Sequence, residues 1–325
     1  MPSENFRRVH LDPRAAIAGV DVGEDFLDLA IVASGRRTLD LRRIRLDEIA
    51  ATGGDSACPP GAGTASSAIA AIVRCLRAQA PALANAIAIV DSPRWPVDLD
   101  LARAGAVGRS GPVRGGREID RRLRLIVAQL RGSGAYPALR PLALFPTPGL
   151  DYFARRIAYG GCKPHLRAIG RELFGAALKG LPSQLTGGTF TRFMIAGFAA
   201  YRALDALGAA VYEGYPDLQF RLWCAAPDLP PKRGRRATSG RPRVTAPQAF
   251  ERRLRVLEQL ARETAIEGCD RVKTLDAADA AVLALSAAAA RRRGSIRAIE
   301  VPAEGRFLVA MPAAETDRIA TGLAN

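Results

Sequence analysis

The stretch Ile17–Val32, IAGVDVGEDFLDLAIV, determines how the rest of the chain is interpreted. An apolar run reaches a single acid, Asp21, passes Gly23, turns at Glu24-Asp25 and continues as an alternating strand. The pattern predicts one long strand, or a strand with a bulge at Gly23. A carboxylate inside a core strand is costly to bury unless a cation binds it. The position of Asp21 within this strand therefore predicts a cation-binding site.

The composition indicates a soluble globular protein with a basic surface. The chain has 325 residues, enough for one large domain or two ordinary ones, and is 48% hydrophobic, 24% charged and 6% aromatic. Its 47 Lys and Arg residues exceed its 32 acids and give a net charge of +15. This balance favours a polyanionic partner such as nucleic acid. The alternative is an Arg-rich solvated surface with no specific partner.

The remaining composition argues against zinc, disulfides and membrane insertion. Five cysteines show no CxxC spacing and only two histidines are present, which disfavours a zinc site and a secreted disulfide framework. No apolar segment typical of a secretory signal follows Arg7 and Arg8. The most apolar window, Phe193–Val211, is interrupted by Arg202 and Asp205. We therefore expect a cytoplasmic protein with no membrane partner.

Strand and helix patterns follow the opening stretch. Thr38–Leu46 alternates and predicts an antiparallel strand, and Ser66–Gln79 has helical spacing. Ala86–Val90 is wholly apolar and followed by an acid, which is typical of a buried parallel strand. Further strand patterns occur at Ala209–Tyr215, Ile296–Val301 and Arg306–Met311, the last two as a hairpin.

The chain is predicted to form a single domain, residues 16–325, after a loose N-terminal arm at residues 1–15. Residues 94–190 are expected to be a largely helical insertion, since their apolar content is too thin for an independent core. Residues 225–247 are rich in Pro and Arg and predict a flexible loop. This loop either binds the phosphates of a nucleic-acid backbone or is a solvated spacer without a binding role.

Five acids lie on core elements and form a candidate metal site. Asp276 and Asp279 lie three residues apart on the predicted helix Thr274–Arg293, so they share a face. Acids within about 4 Å repel by roughly 4 kcal/mol per pair at an effective dielectric near 20, so such a cluster needs protons or metal. All-oxygen ligands select Mg²⁺ or Mn²⁺, and two such ions activate water and stabilise the leaving oxygen in phosphodiester cleavage. The predicted ligands are Asp21, Asp91, Glu213, Asp276 and Asp279.

Each acid also has a structural interpretation. Asp276 and Asp279 suit the N-terminal turn of a helix, where carboxylates cap free amides. Asp91 precedes Ser-Pro and is compatible with a turn, and Glu213 is compatible with a solvent-facing strand position. The joint placement of the acids on the first strand, a buried middle strand and the last helix favours the metal site.

Four segments in this order resemble the domain-of-unknown-function family 429, described as predicted RNase H-like nucleases. They are AGVDVG (18–23), AIVDSP (88–93), EGYP (213–216) and DAADAAVLALSAAAA (276–290). The tail Glu304–Phe307, with Pro312 beyond, and Arg117–Arg124 also resemble family segments, although Ile119 replaces a Cys. The opening departs from the family, because Glu24-Asp25-Phe26 stands where Gly-Gly-Trp is frequent.

The resemblance implies an α/β protein with an RNase H-like fold. We expect a mixed sheet of about five strands, the first antiparallel and the later ones parallel, flanked by helices. Asp21 and Asp91 would lie side by side on it, and Asp276 and Asp279 would approach from the last helix. The arrangement is similar to Holliday-junction resolvases of the RuvC type, in which paired Asp residues on the final helix complete the site.

The expected function is a nuclease dependent on one or two Mg²⁺ or Mn²⁺ ions, with Asp21, Asp91, Glu213 and Asp279 as catalytic acids. Whether its substrate is DNA or RNA, and the oligomeric state, stay open. The residues expected to hold phosphates are Arg117, Arg121, Arg192, Lys232, Arg233, Arg235 and Arg236.

Three alternative functions remain. The main one is a non-catalytic nucleic-acid-binding protein on the same scaffold. An ATP-binding protein of the sugar-kinase/chaperone type would use Asp21-Val22-Gly23 as its phosphate loop, but it needs a second such loop and an adenosine loop, which we do not find. A relative of DEDD-type transposases would need a further domain with a nucleophilic Ser, and only 46 residues follow Asp279.

Overall fold

In a computed structural model of the protein, the described residues contain one mixed sheet of eight strands. The structure describes residues 6–52, 68–94, 117–139, 142, 144, 163–174, 189–232, 234, 243–302 and 304–312. The strands are β1 (Arg7–Arg8), β2 (Ile17–Val22), β3 (Phe26–Val32), β4 (Leu39–Arg45), β5 (Ile87–Asp91), β6 (Ala210–Glu213), β7 (Ile296–Val301) and β8 (Gly305–Ala310). The α-helices of these residues are α1 (Leu46–Thr52), α2 (Ala68–Gln79), α3 (Glu118–Gly132), α4 (Pro164–Phe174), α5 (Thr189–Ala206), α6 (Pro216–Trp223), α7 (Ala246–Thr264) and α8 (Leu275–Arg293).

The spatial order of the strands is β1-β7-β8-β6-β5-β2-β3-β4. Strands β2, β3 and β4 form an antiparallel meander, because short connections reverse the chain after β2 and β3. The chain then crosses over through helices, so β5 pairs parallel with β2 and β6 pairs parallel with β5. The α/β class and the mixed sheet predicted from the sequence are therefore confirmed.

The predicted count of about five strands is wrong. Strands β2 to β6 account for five, and β8, β7 and β1 extend the sheet beyond β6. The hairpin joins the sheet because Phe307 of β8 pairs with Glu213 of β6. The expectation of a loose arm is also corrected for residues 6–15: β1 pairs with β7, and Phe6 and Leu11 bury their apolar side chains.

The sheet separates two hydrophobic cores. Side chains alternate along β2, so Ile17 faces one core while Val20 faces the other. The core on the Ile17 side contains side chains of α3, α6, α7 and α8, and the opposite core contains those of α1, α2, α4 and α5. Helices α3 and α4 belong to the predicted insertion 94–190 and pack into these cores. Its residues 95–116, 145–162 and 175–188 lie outside the described residues.

Helix α8 lies unusually close to β2. Its N-terminus is capped by Thr274, whose hydroxyl accepts a hydrogen bond from the Ala277 amide at 3.1 Å. A Cβ atom at Gly19 would collide with the carbonyl oxygen of Ala280 and with Leu283. The absence of a side chain at Gly19 therefore lets the helix backbone approach the strand, which brings the second turn of α8 beside the end of β2.

We expect Gly19→Ala to destabilise the fold by about 1–3 kcal/mol, because the added methyl group must push α8 away from β2. Chemical denaturation measures the change in the free energy of unfolding. Gly132→Ala is the matched control, since a Cβ there meets nothing within 4 Å. Equal effects of the two substitutions would contradict the close packing of α8.

No helix in the described ranges has the length and apolar character that a membrane span requires.

Candidate metal centre

Three aspartates from three separate elements converge at one end of the sheet. Asp21 belongs to β2, Asp91 ends β5, and Asp279 lies on α8. One carboxylate oxygen from each lies within 4.8 Å of the others. Asp21 and Asp91 are adjacent because they are direct partners in the parallel β2–β5 pair. Asp279 joins them because Gly19 allows α8 to approach. We call these three residues the carboxylate triad.

The triad is poorly hydrated. Asp279 is 0% exposed and Asp21 is 7% exposed. Burial raises the pKa of Asp21 well above its ordinary value, and the carboxylates of Asp91 and Asp279 raise it further. Burial likewise raises the pKa of Asp91 to about 7 and raises the pKa of Asp279. Burial and mutual repulsion therefore shift these carboxyl groups toward their protonated forms, and binding of a cation would require their deprotonation.

An unpaired acceptor within the triad indicates where a cation fits. The Asp279 Oδ1 atom is buried, and no group among the described residues donates a hydrogen bond to it. A buried carboxylate oxygen without a donor is unfavourable unless a proton or a cation meets it. Three carboxylates form an all-oxygen ligand set, which suits a hard divalent cation. The residues present are therefore chemically able to hold a divalent cation.

Lys232 also reaches the triad. Its ammonium group donates a hydrogen bond to Asp279 Oδ2. Burial opposes the charge of Lys232, but the carboxylates of Asp279 and Asp91 outweigh burial and raise its pKa. The Pro/Arg-rich sequence around this lysine predicts that it holds phosphate, whereas the structure places it against a carboxylate.

A further acid, Asp28, lies next to the triad and is paired with Arg43. Asp28 of β3 lies directly opposite Asp21 and binds Arg43 through two hydrogen bonds of 2.7 and 2.5 Å. The Arg43 guanidinium lies 3.6 Å from Asp276 and stacks on the Phe26 ring at 4.0 Å. Asp28 is thereby neutralised, so it does not add a further unpaired negative charge beside Asp21.

The structure places Asp276 outside the triad. Its side chain is 46% exposed and faces Arg43, because it lies in the first turn of α8 whereas Asp279 lies one turn deeper. Asp276 is thus a peripheral residue and not one of the three converging ligands.

The prediction for Glu213 is corrected by the strand register. Glu213 pairs with Val90 and not with Asp91, so it is one residue out of register with the triad. Its carboxylate accepts hydrogen bonds from Arg117 at 2.6 and 2.7 Å and from the Arg94 amide at 2.6 Å. Burial raises the pKa of Glu213 although Arg117 opposes the shift. Glu213 therefore belongs to a buried ion pair.

The same contacts correct the expected role of Arg117. Its side chain is 2% exposed and also binds Asp120 at 3.0 Å, so it cannot reach a phosphate in this structure. Arg121 is 61% exposed and pairs with Glu118 on its own helix at 2.5 Å. Arg192 donates to Glu24 at 2.7 Å. Arg233, Arg235 and Arg236 lie outside the described residues.

A cavity of about 280 Å³ opens beside Asp91. Its wall is mostly apolar and aromatic, with Arg124 as one of its charged members. Apolar cavities with a few polar groups are typical of ligand sites. Among its lining residues are Leu123, Phe193, Tyr215 and Phe307.

The triad predicts an inverted pH dependence of stability. We expect the melting temperature in EDTA to fall between pH 5 and pH 8. The raised pKa values stabilise the fold fully below the unfolded pKa of about 3.9, and this contribution is lost as pH rises through the folded pKa, about 7 for Asp91. With saturating Mn²⁺ the fall should disappear, because the ion binds the deprotonated carboxylates.

Differential scanning fluorimetry measures this trend, and Asp91→Asn is the comparison variant. Its curve in EDTA should be flatter than that of the original chain. Parallel curves for the two proteins would show that Asp91 does not titrate differently on folding.

Comparisons with known proteins give no match: no protein-family model, no curated protein and no solved structure matches this chain significantly. The resemblance to family 429 rests on the motif segments and stays a prediction. The function is therefore inferred from the site.

Proposed function

We propose that the protein is a metal-dependent nuclease, which hydrolyses phosphodiester bonds of nucleic acid. The observation that carries the proposal is the convergence of Asp21, Asp91 and Asp279 within 4.8 Å at a buried site. Structural acids seldom gather in this way, because their mutual repulsion is strong in a poorly hydrated environment. A site for Mg²⁺ or Mn²⁺ accounts for their juxtaposition.

We also assign the protein to the RNase H-like fold. The support is the order β4-β3-β2-β5-β6, with an antiparallel meander followed by parallel strands. Acids on the central strand β2, on its neighbour β5 and on the last long helix agree with the arrangement that the sequence motifs imply. The extension by β8, β7 and β1 lies at the edge away from β4 and leaves Asp21 and Asp91 on the central strands.

Each part of the site has a role in the proposed reaction. A bound divalent cation supplies Lewis-acid stabilisation of the charge that develops on a phosphodiester during hydrolysis. The triad holds and orients that cation, and burial keeps bulk water from competing for the carboxylate oxygens. Backbone pairing of β2 with β3 places Asp28 beside Asp21, and Arg43 of β4 balances the charge of Asp28.

The cavity beside Asp91 suits the nucleotide next to the cleaved bond. Phe193, Tyr215 and Phe307 provide aromatic surface on which a base can stack. Arg124 lines the same cavity and can approach a phosphate. The net charge of +15 attracts a polyanion at long range. Nucleic acid is therefore the substrate class that we propose.

A second candidate is a nucleic-acid-binding protein without catalysis on the same scaffold. The observation that favours it is the contact between Lys232 and Asp279, since a lysine already supplies one positive charge to the triad. Binding would then weaken steeply with salt, by about 0.9 in log K per unit of log salt concentration for each phosphate neutralised, and would not need Mg²⁺.

Cleavage assays separate the two candidates. Single-stranded, double-stranded and branched DNA and RNA oligonucleotides are incubated with the purified protein in Mg²⁺, Mn²⁺ or EDTA. The nuclease proposal expects cleavage that requires a divalent ion and stops in EDTA. Salt-dependent binding with no cleavage in any metal would favour the second candidate, and cleavage that persists in EDTA would refute the metal site.

A further inference from the structure

Lys232 is held in place by a structured turn. Leu229, three residues before it, is 1% exposed. The carbonyl oxygen of Pro230 accepts a hydrogen bond of 2.9 Å from Arg253, which is fully buried. The Gly234 amide donates a hydrogen bond of 2.9 Å to the carbonyl oxygen of Pro231, and this bond closes the turn that contains Lys232. The chain therefore fixes the backbone on both sides of the lysine.

Gly234 is required by the shape of this turn. Its φ of +80° lies in the region that favours glycine, and a Cβ there would collide with the carbonyl of Val244. The turn is also tied to the helices, because Arg253 of α7 binds Asp217 of α6 at 2.8 Å. Lys232 thus approaches the triad from a segment that hydrogen bonds connect to α6 and α7.

The charges at the site favour one divalent ion. Three ionised carboxylates and one ammonium group carry two net negative charges, which a single Mg²⁺ or Mn²⁺ neutralises. A second divalent ion would leave two positive charges in a buried group, which is costly. Without the lysine, a single ion would leave one negative charge uncompensated.

We propose that Lys232 takes the place of a second divalent ion and limits the site to one Mg²⁺ or Mn²⁺. The two carboxylate oxygens of Asp279 have different roles. Oδ2 accepts a hydrogen bond from Lys232, and Oδ1, to which no described residue donates a hydrogen bond, is left for the ion. Lys232 is a positioning residue that acts through Asp279. This inference rests on the proposed metal site. It adds that the site holds one ion, and that Lys232 supplies the positive charge that this ion does not.

Titration of the full chain with Mn²⁺ tests the inference. Calorimetry measures the heat of binding, and electron paramagnetic resonance measures the free Mn²⁺. We expect one Mn²⁺ per chain. Lys232→Gln should bind the first ion about tenfold more tightly or better, since each 1.4 kcal/mol of removed repulsion gives a factor of ten. It should also bind a second, weaker ion. Lys232→Arg keeps the charge and should still bind one ion.

Lys273→Gln is the matched control, since Lys273 is exposed just before α8 and its loss changes the net charge equally. It should behave as the original chain does. Two ions in the original chain, or unchanged number and affinity in Lys232→Gln, would overturn the inference while leaving the nuclease proposal standing. No Mn²⁺ binding at all would overturn both. Far-ultraviolet circular dichroism checks that each variant is folded.

Discussion

Asp21→Asn is expected to reduce metal-dependent cleavage by about 10³-fold and, in EDTA, to stabilise the fold by about 0.5–2 kcal/mol. Cleavage falls because an amide is a poorer ligand for a hard cation than a carboxylate. Stability rises because the substitution removes one of three acids that repel one another. Burial of Asp21 and the charges of Asp91 and Asp279 raise the pKa of Asp21, so its ionised form is unfavourable in the folded protein. A purely structural aspartate would instead lose stability on replacement.

Cleavage rates in Mn²⁺ and denaturation curves in EDTA provide the two measurements. Asp40→Asn is the control, because Asp40 is exposed on β4 and pairs with Arg42 at 2.9 Å. Its effect on stability should stay within about 0.5 kcal/mol. Loss of stability in Asp21→Asn with unchanged cleavage would contradict the assignment of Asp21 as a metal ligand.

The second large effect is expected at the buried ion pair of Arg117 and Glu213. Arg117→Met should destabilise the fold by about 3–5 kcal/mol, because it leaves the Glu213 carboxylate buried without its partner. The double variant Arg117→Met, Glu213→Gln should recover much of this loss, since it removes the charge as well. Urea denaturation measures both changes.

Arg121→Met is the control for this experiment, because Arg121 lies in the first turn of α3, which follows Arg117 directly, but is largely exposed. We expect a change within about 0.5 kcal/mol. A normal stability of Arg117→Met, combined with weaker nucleic-acid binding, would instead restore the phosphate-holding role predicted from the sequence.

The sequence contained enough information to nominate the three converging acids. Asp21 interrupts an apolar strand, and Asp91 ends one, so both positions have a signal in the local pattern. Their adjacency follows from parallel pairing of the two strands, which the crossover through helices makes possible. Asp28 had a usable signal too, since an antiparallel turn at residues 23–25 places it opposite Asp21.

Other features depend on tertiary structure that local patterns do not encode. Helix α8 is Ala-rich on every side, so its sequence does not tell whether Asp276 or Asp279 faces the sheet. Glu213 lies one residue out of the register that would place it beside Asp91. Lys232 lies in a Pro/Arg-rich segment with no periodic pattern. Its position follows from the Arg253 contact with Pro230, which joins residues far apart in the chain.

Anomalous diffraction from a crystal of the protein with Mn²⁺ is the most direct test of the metal site. We expect one Mn²⁺ peak with carboxylate oxygens of Asp21, Asp91 and Asp279 at about 2.0–2.6 Å, the range for hard cations. Asp279→Asn crystals should lose or weaken the peak under the same conditions. Absence of a Mn²⁺ peak at the triad, or a peak located only elsewhere on the chain, would contradict the proposed metal site.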